Sequence, residues 1–295
     1  FRLAEMTYGC KNNSAQDHRF KLVEYIPFIF RSICQSEVIS IDKLIEAFHP
    51  VVNLSKLNKL DERGGRSGAF VYCTVDRKFI VKTINSAEKV MLLNTLLKDY
   101  TARIFSRETL LVRILGVFKL QCIDNFAVDL MVMENIACGY GTPLFKFDLK
   151  GSTHDRLHKK TPRLGSKNFM KDLDFMEEVG KLDLIESDRA RFLKALEEDV
   201  EMLVKNGVID YSLFGAYYED QEMPQGNKYC YRHKLSPNSY YTLGIIDILQ
   251  DYNSKKRCEH WLKRIFRRAS HSAISSVNPS RYGRRFLDFC RSICE

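Results

Sequence analysis

Gly64-Gly65-Arg66-Ser67-Gly68-Ala69-Phe70-Val71-Tyr72-Cys73-Thr74-Val75-Asp76-Arg77-Lys78-Phe79-Ile80-Val81-Lys82-Thr83-Ile84 decides how the first half of the chain is read. A glycine-rich turn precedes two apolar runs, residues 70–75 and 79–84, with Asp76-Arg77 between them. That is the pattern of a turn opening a β-hairpin. Glycine lets backbone N–H groups approach a phosphate closely, so Gly65, Ser67 and Gly68 are candidate nucleotide contacts. An ordinary loop fits the same residues. Lys82 lies in the second run and, by period-two alternation, shares a face with Ile80 and Ile84. A lysine on an apolar strand face needs an anionic partner.

The second half turns on residues 243–268. A short apolar run, Leu243-Gly244-Ile245-Ile246, reads as a buried strand, and Asp247 ends it. A carboxylate there needs a partner, and a metal ion is a good one. Residues 255–268 then hold seven Lys/Arg against one acid, Glu259. Trp261, Leu262, Ile265 and Phe266 fall on one helical face, so the segment reads as a basic amphipathic helix at a membrane surface. A solvated basic helix packed on its own domain is the competing reading.

Between these stretches the chain alternates helix and strand patterns. Residues 20–34 read as a helix kinked at Pro27, and 42–48 as a second helix, while 53–62 read as polar loop. Residues 87–100 read as a helix with Glu88 the acid near its start, and 111–120 and 126–133 as strands. The glycine turn and hairpin with Val81-Lys82 resemble a kinase nucleotide lobe, in which the lysine reaches the α- and β-phosphates; on that resemblance Met133-Glu134-Asn135 fits the connection whose backbone meets adenine, and otherwise a plain strand end. Residues 144–150 alternate apolar and charged, and Lys150 stands beside the break at Gly151, a place for a second phosphate contact. His154 and His158 lack a third ligand and read as solvated. Residues 172–178 and 187–206 read as helices, the second stopped at Asn206-Gly207. Asp210 follows in an apolar setting, where a catalytic loop would set a carboxylate against a hydroxyl, or where a structural Asp would sit. Residues 219–240 read as loop and 279–294 as a final helix.

With 295 residues and 45% hydrophobic content, the chain can build a sizeable core in one large domain or two lobes. A balance of 46 basic to 37 acidic residues gives +9 and points to an anionic partner. Nucleic acid is disfavoured, because base stacking wants aromatics interleaved along a basic strand face. Nine cysteines without a Cys-x-x-Cys pair argue against a zinc site or a disulfide framework and for reduced thiols. No apolar run reaches the ~18 residues that a spanning helix needs.

Taken together, the Gly64–Ala69 turn, Phe79-Ile80-Val81-Lys82-Thr83, Phe147-Asp148-Leu149-Lys150-Gly151-Ser152-Thr153, Ile209-Asp210-Tyr211-Ser212-Leu213 and Gly244-Ile245-Ile246-Asp247-Ile248-Leu249 resemble the phosphatidylinositol phosphate kinases. The resemblance spans nearly the whole chain and is specific in the order of its last three motifs. It implies an α/β, two-lobed fold, distantly like protein kinases: an antiparallel sheet in an N-terminal lobe, 1–135, and a smaller mixed C-terminal lobe, 136–295. Together these form a single lipid kinase catalytic domain with an activation loop at about 248–278. It implies ATP and Mg²⁺ as cofactors. Carried over by residue, Lys82 and Lys150 hold the ATP phosphates, Gly65, Ser67, Gly68, Met133 and Asn135 line the nucleotide, Asp210 is the catalytic aspartate and Asp247 the magnesium ligand. Lys255, Lys256, Arg257, Glu259, Trp261 and Lys263 fall in the activation loop, which selects the lipid and inserts at the membrane.

The implied partner is a phosphoinositide at an anionic membrane, the implied location the cytosolic membrane face, and a homodimer is left open. Glu259 follows the type I pattern, a kinase of the 5-hydroxyl of phosphatidylinositol 4-phosphate, whereas residues 274–279 and 285–289 look closer to type II, a 5-phosphate 4-kinase. Glu259, lying in the selecting segment, is given the greater weight. A weakly active membrane-binding scaffold is the further alternative.

Overall fold

The computed structural model describes residues 3–11, 17–57, 69–106, 108–122, 127–138, 141–152, 169–252 and 278–294. The chain divides into two compact units: residues 1–93 with 112–135, and residues 94–111 with 136–295. The expectation of a smaller C-terminal lobe is corrected here: the second unit is the longer in chain, and only its sheet is the smaller.

The first unit is a six-stranded antiparallel sheet in the order β1-β2-β5-β6-β4-β3. Its strands are β1 (Leu3–Lys11), β2 (Asp17–Tyr25), β3 (Val71–Cys73), β4 (Phe79–Ile84), β5 (Ile114–Cys122) and β6 (Ala127–Glu134). Here the expectation of a helix over 20–34 is corrected. Residues 20–25 belong to β2, paired with β5 from Phe20↔Cys122 to Glu24↔Phe118. The helix α1 (Pro27–Ser36) begins only at Pro27. Proline is at home there, since its missing N–H would have no helical acceptor, so Pro27 starts the helix and does not kink it. Phe30 and Ile33 on α1 are fully buried. Two short helices follow, α2 (Ile41–Ala47) and α3 (Pro50–Leu57), the latter where loop is expected. Asn53 on α3 explains why: buried, it accepts from the Tyr72 hydroxyl and the Val75 amide, tying the helix to the β3–β4 hairpin.

After β4 the chain enters α4 (Ser86–Val90), a π-helical turn (Met91–Leu96) and α5 (Leu97–Phe105). The second unit's sheet runs β7-β8-β10-β9. It comprises β7 (Phe145–Leu149), β8 (Ser212–Tyr218), β9 (Cys230–Arg232) and β10 (Tyr240–Ile246). β9 lies inside the stretch expected to be loop, and its pairing with β10, not its own composition, makes it a strand. α6 (Asp172–Glu178) and α7 (Glu186–Lys205) follow β7, and α8 (Pro279–Ser292) closes the described chain.

Register fixes the two faces of this sheet. Phe147, Gly215 and Leu243 share one row, and Leu149, Leu213 and Ile245 the next. The five side chains are fully buried. Gly215 has no side chain because the Phe147 ring occupies the space a Cβ would take. α7 buries Phe192, Leu196, Val200 and Leu203 together with Asp199. The Asp199 carboxylate accepts from Arg103 Nε at 2.9 Å, Thr109 Oγ1 at 2.8 Å and the Leu110 amide at 2.6 Å, which fastens residues 94–111 to α7.

Candidate active site

Strand ends bring the chemistry of the second unit together. Ile246 pairs with Ser212, and Leu149 pairs with Leu213. Lys150 just after β7, Asp210 two residues before β8 and Asp247 just after β10 therefore lie at one end of three adjacent strands. The ladder continues past the sheet: Ile209 N donates to Gln250 O at 2.8 Å, and Tyr252 N to Gly207 O at 3.1 Å. These bonds hold the loop before Asp210 against the segment after Asp247. Both aspartates take left-handed backbone conformations, φ 68° and 59°. Non-glycine residues adopt these at a cost of order 1–3 kcal/mol, a kind of strain that clusters at functional sites.

The Lys150 ammonium donates to the Asp210 carbonyl oxygen at 2.6 Å and lies 3.5 Å from its Oδ1. The turn that carries it is held from behind. Asp172, buried at the start of α6, accepts from the Lys150 amide at 3.0 Å and the Ser152 amide at 3.1 Å. Gly151 has φ +62° and backs onto α8, where a Cβ would stand 3.1 Å from Phe289 Cβ and 3.2 Å from Arg285 O. Tyr211, next to Asp210, is fully buried against the Tyr282 and Phe286 rings, and its carbonyl accepts from the Tyr282 hydroxyl. Burial drives the Tyr211 phenol far above its ordinary range. Sequence reasoning missed Asp172 and read Arg285 only as part of the type II-like residues 285–289. An Asp opening a helix is an ordinary cap signal, and nothing local says which distant turn it caps.

In the first unit Lys82 is half-buried on β4, across from Val71 on β3 and Met131 on β6. Glu88 closes a capping box instead of reaching outward: its N–H donates to Asn85 Oδ1 at 2.9 Å, and its Oε2 accepts from the Asn85 amide at 2.8 Å. Met133 lies in β6. The Glu134 amide donates to Arg113 O, and the Asn135 amide and side chain to Lys78 O and Arg77 O, so this trio braces the β3–β4 turn. Gly65, Ser67 and Gly68 lie outside the described residues, as do Lys255, Lys256, Arg257, Glu259, Trp261, Lys263, His154 and His158.

A cationic ammonium beside one carboxylate, with a second carboxylate on the next strand end, suits phosphoryl transfer, which relies on charge neutralisation and positioning. The family model described as Phosphatidylinositol-4-phosphate 5-Kinase matches residues 51–234 and 217–293. The chain belongs to this family. Human phosphatidylinositol 5-phosphate 4-kinase type-2 beta is 29% identical over 331 aligned residues, covering 93% of this chain and 78% of that protein. The type-2 alpha enzymes of Gallus gallus and Sus scrofa are 27% and 28% identical, covering 96% and 94% of this chain and 80% and 79% of theirs.

This phosphatidylinositol phosphate kinase thus has the expected mixed α/β fold with antiparallel sheets, and its family takes ATP as phosphate donor. Among the described residues no helix is long and apolar enough to cross a membrane. Nor does any cluster of three or more His, Cys, Asp or Glu there form a protein-only metal cage. The donor set fits Mg²⁺ all the same. That ion binds through one or two carboxylates plus substrate phosphates, and Asp247 is an exposed hard-oxygen donor at a strand end.

Proposed function

We propose that this chain transfers the γ-phosphate of ATP to the 4-hydroxyl of phosphatidylinositol 5-phosphate. Residues 1–295 act as a single catalytic domain, with residues 248–278 as its activation loop. The observation that supports phosphotransfer is the meeting of Lys150, Asp210 and Asp247 at one end of β7, β8 and β10. Asp210 takes the proton of the attacking hydroxyl, and Lys150 balances charge on the moving phosphoryl group. Lys82 binds the ATP phosphates. Asp247 would hold Mg²⁺, which when bound neutralises phosphate charge. The basic segment with Lys255, Lys256, Arg257, Trp261 and Lys263 seats the enzyme on the cytosolic face of an anionic membrane.

Glu259 read alone favours the 4-phosphate lipid. The similarity to type-2 enzymes over 78% and 80% of their length, whose name is 5-phosphate 4-kinase, and the type II-like residues 274–279 and 285–289 argue the other way, and they outweigh one residue. The test is ATP-dependent phosphorylation of vesicles carrying the 5-phosphate, 4-phosphate or 3-phosphate lipid in parallel. Preference for the 5-phosphate lipid supports this reading; preference for the 4-phosphate lipid restores the Glu259 reading.

A further inference from the structure

α8 does more than close the core of the second unit. Its N-cap, Asn278, accepts from the Arg281 amide, and from there the helix presents Tyr282, Phe286 and Cys290 inward, all fully buried. Arg285 lies between the first two of these. Its guanidinium sits over the Tyr282 ring, 4.9 Å from the centroid, and its Nη2 donates to the Lys150 carbonyl at a long 3.4 Å. The same helix meets the Lys150 turn at Gly151, whose missing Cβ leaves room for Arg285 O and the Phe286 backbone. It meets the Asp210 loop through the Tyr282 hydroxyl on the Tyr211 carbonyl. One turn of α8 therefore braces both arms of the Lys150–Asp210 pair. Burial pulls the Arg285 guanidinium below its ordinary range, while Tyr282, Asp172 and Asp210 push the other way. An arginine stays charged in such a setting, so a second fixed cation stands behind Lys150.

We propose that Arg285 is a positioning residue for the phosphotransfer: by holding the Lys150 carbonyl against α8, it sets where the Lys150 ammonium meets Asp210. The proposal rests on the phosphotransfer roles given to Lys150 and Asp210 above. A planar fork stacked on Tyr282 fixes an orientation that a flexible ammonium stem does not. A displacement of about 1 Å at a catalytic group is enough for a hundredfold loss of rate.

The test is a double-mutant cycle in lipid phosphorylation with Arg285→Met and Lys150→Met, read as kcat and as KM for ATP. Arg285→Met is expected to lower kcat roughly ten- to a hundredfold with KM for ATP changed less than about threefold. Arg285→Lys is expected to recover part of the loss, because it keeps the charge without the fork. On the Lys150→Met background, Arg285→Met should cost no more than about twofold further, since its effect passes through Lys150. A loss repeated in full on that background, as a purely structural role would give, overturns the proposal. Wild-type kcat in Lys150→Met would instead refute the site reading beneath it. Circular dichroism accompanies each variant, and if Arg285→Met does not fold, Arg285→Lys is carried through the same cycle against the same criteria.

Discussion

Gly151→Ala is the sharpest perturbation that the second unit offers. Two effects add. The residue has φ +62°, a conformation that costs an L-residue roughly 1–2 kcal/mol. The new methyl would also stand 3.1 Å from Phe289 Cβ, 3.2 Å from Arg285 O and 3.4 Å from Phe286 Cα. Two of those atoms are backbone of α8 and cannot rotate aside, so α8 or the turn must move. Overpacking of this kind costs about 1–3 kcal/mol. The total is roughly 2–5 kcal/mol, which for a domain of this size corresponds to a drop of about 4–20 °C in Tm. Because the turn carries Lys150 against Asp210, kcat should fall about tenfold or more as well. The assay is a thermal melt of the purified chain beside lipid phosphorylation at a temperature where the variant is folded. A Tm within about 2 °C of wild type together with unchanged kcat would refute the claim that α8 and the Lys150 turn are packed as described.

Three further outcomes follow from the same packing. Tyr211→Phe should leave Tm unchanged or raise it, because the buried Tyr211 hydroxyl has no hydrogen-bond partner among the described residues and its removal relieves a desolvation cost of about 1–3 kcal/mol; a Tm loss above about 5 °C would contradict this. Arg113→Met should destabilise by about 3–5 kcal/mol, measured by urea unfolding, since Arg113 Nε pairs with Glu37 Oε1 at 3.0 Å, with the Arg113 side chain 1% exposed and the Glu37 side chain 9%; adding Glu37→Gln should recover part, and equal loss in single and double variants would sink the argument. For Asp188, burial pushes the carboxyl up, but the side-chain and backbone hydrogen bonds from Arg232 outweigh it and leave the group below its ordinary value. Its contribution is therefore present above about pH 4 and lost as pH falls through the lowered value, so the Tm gap between wild type and Asp188→Asn should hold from pH 7 to 5 and close below about pH 4. A gap that widens in acid would show the sign to be wrong.

The β3–β4 hairpin, α7, α8 and the strand before Asp247 were legible because local pattern and tertiary role agree there. Alternation, helix stop and apolar stripe all point one way. β2 was misread because Phe20, Leu22, Val23 and Tyr25 satisfy a helical stripe nearly as well as a strand; nine residues of pairing with β1 and five with β5 decide it. β9 is three residues in a polar stretch, given strand form only by Tyr240, Tyr241 and Thr242 across from it. At the site, Lys150, Asp210 and Asp247 each stood out as a charge at the edge of an apolar run. Their meeting depends on register, which no single run carries. The roles of Asp172 and Arg285 are not legible for a related reason. Each acts on the Lys150 turn from another element, Arg285 from 135 positions along the chain. Glu88, the acid near the start of the helix after β4, uses its carboxylate to cap that helix.

The most direct test of the account is ATP-dependent phosphorylation of phosphatidylinositol 5-phosphate vesicles by wild type and by Asp210→Asn, an isosteric change that keeps the left-handed backbone accessible. The account predicts turnover by wild type that exceeds turnover on the 4-phosphate lipid, and a loss of at least about a hundredfold in the variant with its melt unchanged. Equal rates for wild type and Asp210→Asn would contradict it.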